Sequence, residues 1–223
     1  GLIADGEVGF RAGIALVVLI IAVIGGRIVP SFTRNWMTKQ GWKQGLPTQP
    51  GRFDQAVLTA TALALLMWVL VPTAVLTGIV LLAAGALQLA RLAQWRGWRT
   101  VSDPIVVVLH VGYLWVPIGL LLLGWSILDF DILRTSAIHA LTAGAMATMI
   151  LAVMTRATLG HTGRELKAGP LTVAAYVLIT LGALLRVIAP FGVIGYRAGM
   201  EAAGVLWSGA FVLFLFAYGP EYE

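Results

Sequence analysis

The sequence predicts an all-α fold, a polytopic transmembrane helical bundle of about seven spans forming one domain over residues 1–223. Three observations predict it. Hydrophobic residues make up 59% of the chain and charged residues only 11%, where a soluble domain carries roughly a quarter charged. Seven apolar runs meet or approach the ~20 residues that a helix needs to cross a hydrocarbon core. Glycine is abundant at 26 residues, as it is in membrane helices.

The runs follow in order, each with its own punctuation. The first, Phe10–Val29, meets Pro30, which has no N–H to continue a helix and is expected to end it. Phe53–Val71 and Thr73–Leu92 are joined by Val71-Pro72-Thr73, a tight hairpin. Pro104–Leu128 is preceded by Ser102-Asp103, so the fourth span starts from an N-cap with proline at the first helical position. Pro117 inside that span is expected to kink it. Thr135–Thr155 is the fifth span. Gly169-Pro170 opens the sixth, Leu171–Ala189, Pro190 closes it, and Gly199–Tyr218 is the seventh. No repeat of fixed period and no low-complexity segment interrupts them.

Charge orients the bundle. If the helices alternate, eleven of the fifteen lysines and arginines fall on one face, in three connections. These are Arg27, Arg34, Lys39, Lys43 and Arg52; then Arg91, Arg96 and Arg99; then Arg156, Arg164 and Lys167. The positive-inside rule makes that face cytoplasmic, with the N-terminus of the chain outside and the C-terminus inside. The Arg34–Arg52 loop is then cytoplasmic and the Asp129–Arg134 loop external. Trp68 and Trp125 near one face and Trp95 and Trp98 near the other suit aromatic belts. The net charge of +5 and the pI near 10 therefore belong to basic loops against a lipid bilayer, not to nucleic-acid binding. The opening Gly1-Leu2-Ile3-Ala4-Asp5 has no basic region ahead of the first apolar run, so it is not a signal peptide and looks like part of a longer or processed chain.

The chain has no cysteine, which excludes disulfides, iron–sulfur clusters and thiolate ligands. Any metal must be held by histidine, methionine, carboxylate or backbone oxygen. An ionisable residue inside a span is costly and is a functional candidate by default. His110 lies in the fourth span, His139 in the fifth and His161 just past its end. At 100° per residue Thr142, Met146 and Met149 share a helix face with His139, a soft set suited to a metal or to haem edges. The opposite face carries Ala140, Gly144, Thr148 and Ala152, a small-residue ridge for close helix packing. The alternative for His139, Met146 and Met149 is packing between helices; for His110 it is a hydrogen bond to Tyr113, and for His161 an exposed turn. Arg27, Arg34, Arg156 and Arg164 cluster by topology at the basic face, either facing lipid headgroups or gripping carboxylates or phosphates. Arg186 and Glu201, at similar depth, are expected to pair.

Two stretches resemble signatures of the bacterial NnrS family. One is Gly26-Arg27-Ile28-Val29-Pro30-Ser31-Phe32-Thr33-Arg34-Asn35-Trp36. The other begins His139-Ala140-Leu141-Thr142-Ala143-Gly144 and runs through Met149–Arg156 to Gly160-His161-Thr162-Gly163-Arg164. The resemblance implies a bacterial inner-membrane protein of the response to nitric oxide and nitrosative stress, containing haem and copper, with nitric oxide as a ligand. It also implies longer members of about twelve spans, whose C-terminal half this chain would match. Depth then separates the histidines. His110 and His139 differ by roughly 15 Å at 1.5 Å per residue, too far to share one iron. His110 and His161 lie towards the arginine cluster, where haem propionates would find Arg27, Arg34, Arg156 or Arg164. Two other readings compete: a small-molecule or proton-coupled transporter or channel using His110, His139, Arg186 and Glu201, and a structural or electron-transfer subunit. Nothing resembles a hydrolase triad, a P-loop or a zinc protease motif.

Overall fold

The structure, a computed structural model, describes residues 2–128 and 132–219. Residues 129–131 of the expected Asp129–Arg134 loop lie outside the described residues, as does Gly1. The described chain is helical throughout its regular parts and contains no strand. Helix α1 (Leu2–Ile20) runs through a π-helical turn, Ile21–Gly25, into α2 (Gly26–Lys39). Then come α3 (Arg52–Leu70), α4 (Val75–Gln94), α5 (Pro104–Leu128), α6 (Ile132–His139), a second π-helical stretch at Ala140–Met146, α7 (Ala147–His161), α8 (Pro170–Ile188) and α9 (Tyr196–Tyr218). Short 3-10 turns follow α4 at Gly97–Arg99 and α8 at Ala189–Phe191. These give seven helices long and apolar enough to cross a membrane, the first Gly6–Lys39 and the fifth Arg134–His161.

Pro30 does not end the first span. The helix continues to Lys39 because Val29, Pro30, Thr33 and Met37 form one buried face of α2. The N–H that proline lacks costs one bond, and burying a whole helical face outweighs it. At the starts of three other helices the local rules hold. Asp103 Oδ1 accepts the Ile105 N–H at 3.0 Å and caps α5, and Gly169 precedes Pro170 at the first position of α8. Asp54 Oδ2 reaches back to the Gly51 N–H at 3.0 Å to start α3.

Two apolar clusters fill the bundle, one towards each end. At the end carrying the basic loops, Val29, Trp95, Leu109, Tyr113, Met149 and Ile179 pack together. At the opposite end, Val18, Leu65, Trp68, Leu81, Leu120 and Leu141 do so. Helix α5 is buried on most sides and contributes to both. The expected small-residue ridge is inside the bundle: Ala140, Gly144, Thr148 and Ala152 are all buried. A β-carbon on Gly144 would lie 2.6 Å from the Trp115 indole, so that glycine lets α5 approach.

Candidate functional site

The hairpin of α3 and α4 brings Asp54, in the first turn of α3, beside Arg91 in the last turn of α4. Arg91 is 1% exposed and donates from Nε to Asp54 Oδ1 at 2.7 Å. Its Nη1 donates to the Ala22 carbonyl and to the Tyr113 hydroxyl, both at 2.9 Å. The Tyr113 hydroxyl donates to Gln88 Oε1 at 2.7 Å, Gln88 Nε2 donates to Thr61 at 2.9 Å, and Thr61 to the Val57 carbonyl at 2.8 Å. The chain of bonds thus runs from the basic edge of α3 inwards to Tyr113 and Thr61, roughly 13 Å along their helices. Arg91 donates outwards to Asp54, and from Arg91 inwards every link points the same way, so buried polar groups that lipid could not hydrate are satisfied within the protein.

Backbone shape makes room for this network. Ala22 sits in the first π turn, and its oxygen accepts the Gly26 N–H as well as Arg91. A β-carbon at Gly26 would stand on the Arg91 guanidinium, and one at Gly25 would lie 3.0 Å from the Tyr113 ring. The two glycines of Gly25-Gly26 therefore seat two side chains brought in from α4 and α5. Trp95 closes the group with its ring edge-on to Tyr113, centroids 4.6 Å apart, and the guanidinium of Arg91 lies 5.3 Å from the Trp95 centroid.

His110 stands at the margin of this network, half-buried, one turn from Tyr113 on α5. Its partner is not Tyr113 but Thr33: Nε2 and the threonine Oγ1 are 2.7 Å apart. The single hydroxyl hydrogen of Thr33 goes to the Val29 carbonyl at 2.9 Å. The imidazole Nε2 must then be the donor, and Nδ1 keeps its lone pair. Gly97 lies against the ring, because its β-carbon would be 2.5 Å from both Cγ and Nδ1. Near-equal distances put Gly97 over the ring face, not in line with the lone pair. The imidazole lines an apolar groove of about 310 Å³ with Leu89, Leu92, Gly97, Trp98, Val111 and Leu114.

The other candidates are dispersed. Arg27 and Arg34 line a small cleft with Ser31, Thr48 and Gln49, and Arg34 donates to the Pro47 carbonyl at 3.0 Å. Arg156 covers the Phe32 ring at 3.5 Å and lines a different cavity, of about 440 Å³, with Lys39, Asp103, Glu165 and Lys167. Arg164 borders a third. His161 is exposed on the last residue of α7. The four arginines and His161 therefore do not converge on one pocket.

His139 ends α6, half-buried, within electrostatic reach of Arg186. Ten residues separate it from Met149, on the order of 15 Å of helix, so the two cannot ligate one ion. Met146 packs into the cluster at one end of the bundle, while Met149 lies in the other, with Sδ 3.0 Å from where a β-carbon on Gly112 would be. The expected stripe assumed 100° per residue, and the π stretch Ala140–Met146 breaks that register. Among the described residues no three of histidine, aspartate and glutamate are grouped as a metal site. The Arg186–Glu201 pair is also not formed: Glu201 accepts from Arg197 at 2.8 Å, one turn away on α9.

Sequence reasoning missed Asp54, Gln88 and Arg91 as a unit and counted Arg91 as a loop cation. The signal was present, since all three fall within apolar runs, where polar residues need partners. Such a core defines the class: a polytopic helical membrane protein with a buried ion-paired network and, next to it, a histidine held in one tautomer. Within that class the chain belongs to the NnrS family, whose model, described as NnrS protein, matches residues 1–222. Comparison with curated proteins returns no match, and comparison with solved structures returns none either.

Proposed function

We propose that this is a haem-associated membrane protein of the nitric oxide response, with His110 as the iron ligand. The observation that carries this reading is the fixed tautomer of His110, with Nε2 committed to Thr33 and Nδ1 left with its lone pair, on a residue that lines an apolar groove. A histidine that ligates a metal characteristically gives its other N–H to a second group that orients it, and Thr33 does this. The donor chemistry suits an iron, since an imidazole nitrogen with a free lone pair sits on a residue beside apolar side chains. Bound there, haem supplies an iron that takes up a small diatomic such as nitric oxide. His110 would hold the group, Thr33 would fix the ring, and Leu89, Leu92, Val111 and Leu114 would exclude water, with Trp98 at the groove's edge.

Copper does not fit the residues expected for it. His139, Met146 and Met149 are spread along the helix, and a guanidinium near His139 opposes a second cation. The transport reading is weaker too, because the interior carboxylate and guanidinium are committed to each other and to fixed partners.

The test is the visible spectrum and haem content of His110→Ala purified from the membrane, with thermal unfolding to show that it has folded. Loss of the haem band is expected, with the band retained in His139→Ala. Full haem occupancy in folded His110→Ala overturns the assignment. We also infer that the basic end faces the cytoplasm of a bacterial inner membrane, from the eleven-to-four distribution of lysine and arginine. A Lys43→Cys variant should resist an impermeant reagent added outside; labelling there would reverse the orientation.

A further inference from the structure

We infer that Arg96 and Arg99 form a clamp for a phosphate group at the basic end of the third span, the phosphodiester of an anionic lipid being its source. Arg96 is the one non-glycine residue with positive φ among those described, at 55°, a conformation that costs energy for a residue with a β-carbon. It lies between α4 and the Gly97–Arg99 turn, so the chain bends there and turns the Arg96 and Arg99 side chains towards the loop 41–51.

At that loop the two guanidinium groups meet at Gly45. Arg99 Nη1 lies 2.6 Å, and Arg96 Nη1 3.0 Å, from the point where a β-carbon on Gly45 would stand. Gly45 itself has φ +65°, so both its conformation and its missing side chain are required. The loop is tied down from several directions. Arg99 donates to the Gly45 carbonyl at 3.4 Å, Arg34 to the Pro47 carbonyl at 3.0 Å, and Thr48 to Gln94 at 3.2 Å. Arg99 also lies 4.8 Å from the centroid of the Trp42 ring.

Two like charges are thus held at one point by a left-handed arginine and an obligatory glycine. Among the described residues, the ion pairs of Arg11, Arg91, Arg134 and Arg197 do not involve Arg96 or Arg99. Repulsion and backbone strain both oppose the arrangement, and an anion between the guanidinium groups removes the repulsion. Arginine pairs suit phosphate because their planar forks donate in parallel. The depth suits a lipid: Trp98 and Trp42, 62% and 41% exposed, are the amphipathic rings found at the headgroup level. This site uses neither His110 nor haem, although Trp98 borders both it and the His110 groove.

The experiment measures the thermal unfolding midpoint of the full chain in detergent, with phosphatidylglycerol, phosphatidylcholine or inorganic pyrophosphate added. Four proteins are compared: the parent, Arg96→Gln/Arg99→Gln, Gly45→Ala and Lys39→Gln/Lys43→Gln. Phosphatidylglycerol should raise the midpoint of the parent and of the lysine variant, and phosphatidylcholine should not. The rise should be lost in the arginine variant and in Gly45→Ala, which keeps every charge but displaces the guanidinium groups and strains the loop at its positive φ. If pyrophosphate gives the same rise with the same losses, the clamp stands and its phosphate source is soluble. A rise unchanged in the arginine variant, reduced equally in the lysine variant, or absent with both phosphate ligands overturns the proposal. Should the double arginine variant not fold, Arg96→Gln alone decides the question, because that side chain makes no hydrogen bond or ion pair among the described residues.

Discussion

At the basic end the helices are joined through a directed chain of polar side chains, whereas at the opposite end they are joined by backbone meeting backbone. Asp54, Arg91, Tyr113, Gln88 and Thr61 tie α3, α4 and α5 to the first π turn. Towards the other end, Gly78 and Gly124 face each other so closely that a β-carbon on Gly124 would lie 2.7 Å from the Gly78 carbonyl oxygen, and Gly144 admits Trp115. Lipid tails are as apolar as leucine, so neither end is driven together by exclusion from water. One end gains hydrogen bonds that lipid cannot offer; the other gains dispersion contacts from close approach. The difference teaches where chemistry can be placed. A polar network fixes the orientation of its members, and the candidate ligand His110 borders the network, not the glycine contacts.

Breaking the polar end should cost most. Asp54→Ala leaves Arg91 buried without its counter-charge, a change worth about 3–5 kcal/mol. It should appear as a large drop in unfolding midpoint in detergent. Replacing both partners, Asp54→Leu with Arg91→Met, should recover most of that loss. A double variant as unstable as the single one would mean that the network holds the fold by more than its charge pair.

The glycine end should be less sensitive but still specific. Gly144→Leu forces a side chain into the Trp115 ring and should cost about 1–3 kcal/mol, as overpacking does. Unchanged thermal stability would show that α5 and the fifth span can part without penalty, and the contrast between the ends would fail. The smallest effect is expected at the border. Thr33→Val removes the hydroxyl that orients His110 and costs about 1 kcal/mol. Its signature is spectral: the haem band should move without being lost. An unmoved band in the folded variant would separate the Thr33 contact from ligation.

Much of this was legible from the residues, for identifiable reasons. The seven spans follow from hydropathy because a bilayer demands length and apolarity together, whatever the helices pack against. Pro30 misled because a local rule about one missing N–H was set against a buried face whose partners are distant in sequence. The π turns were not legible. They answer a tertiary demand, space for Arg91 and Tyr113 in one case, and they rotate the face that simple periodicity assigns. This is why the His139, Met146 and Met149 stripe came apart. His110 was recognisable as an ionisable residue in a span, yet its partner Thr33 lies 77 positions away and no spacing points to it. The arginines could be assigned to one end by counting, but counting cannot tell an arginine that faces lipid from one bound to a carboxylate.

The Asp54–Arg91 pair also bears on how the chain enters the bilayer during synthesis. A lone arginine or aspartate at the centre of a spanning segment is disfavoured at insertion by about 2.5–3.5 kcal/mol. Here the two charges lie near the basic ends of adjacent helices joined only by the turn at 71–74. Asp54 precedes Arg91 in the chain, so its carboxylate has no ionic partner until α4 has been synthesised. The hairpin can then close on itself and present a neutral unit before α5 delivers Tyr113. A two-helix segment spanning residues 52–99 should therefore integrate as one step in a translocation assay, and Asp54→Lys should cause α4 to insert poorly even though α4 itself is unaltered.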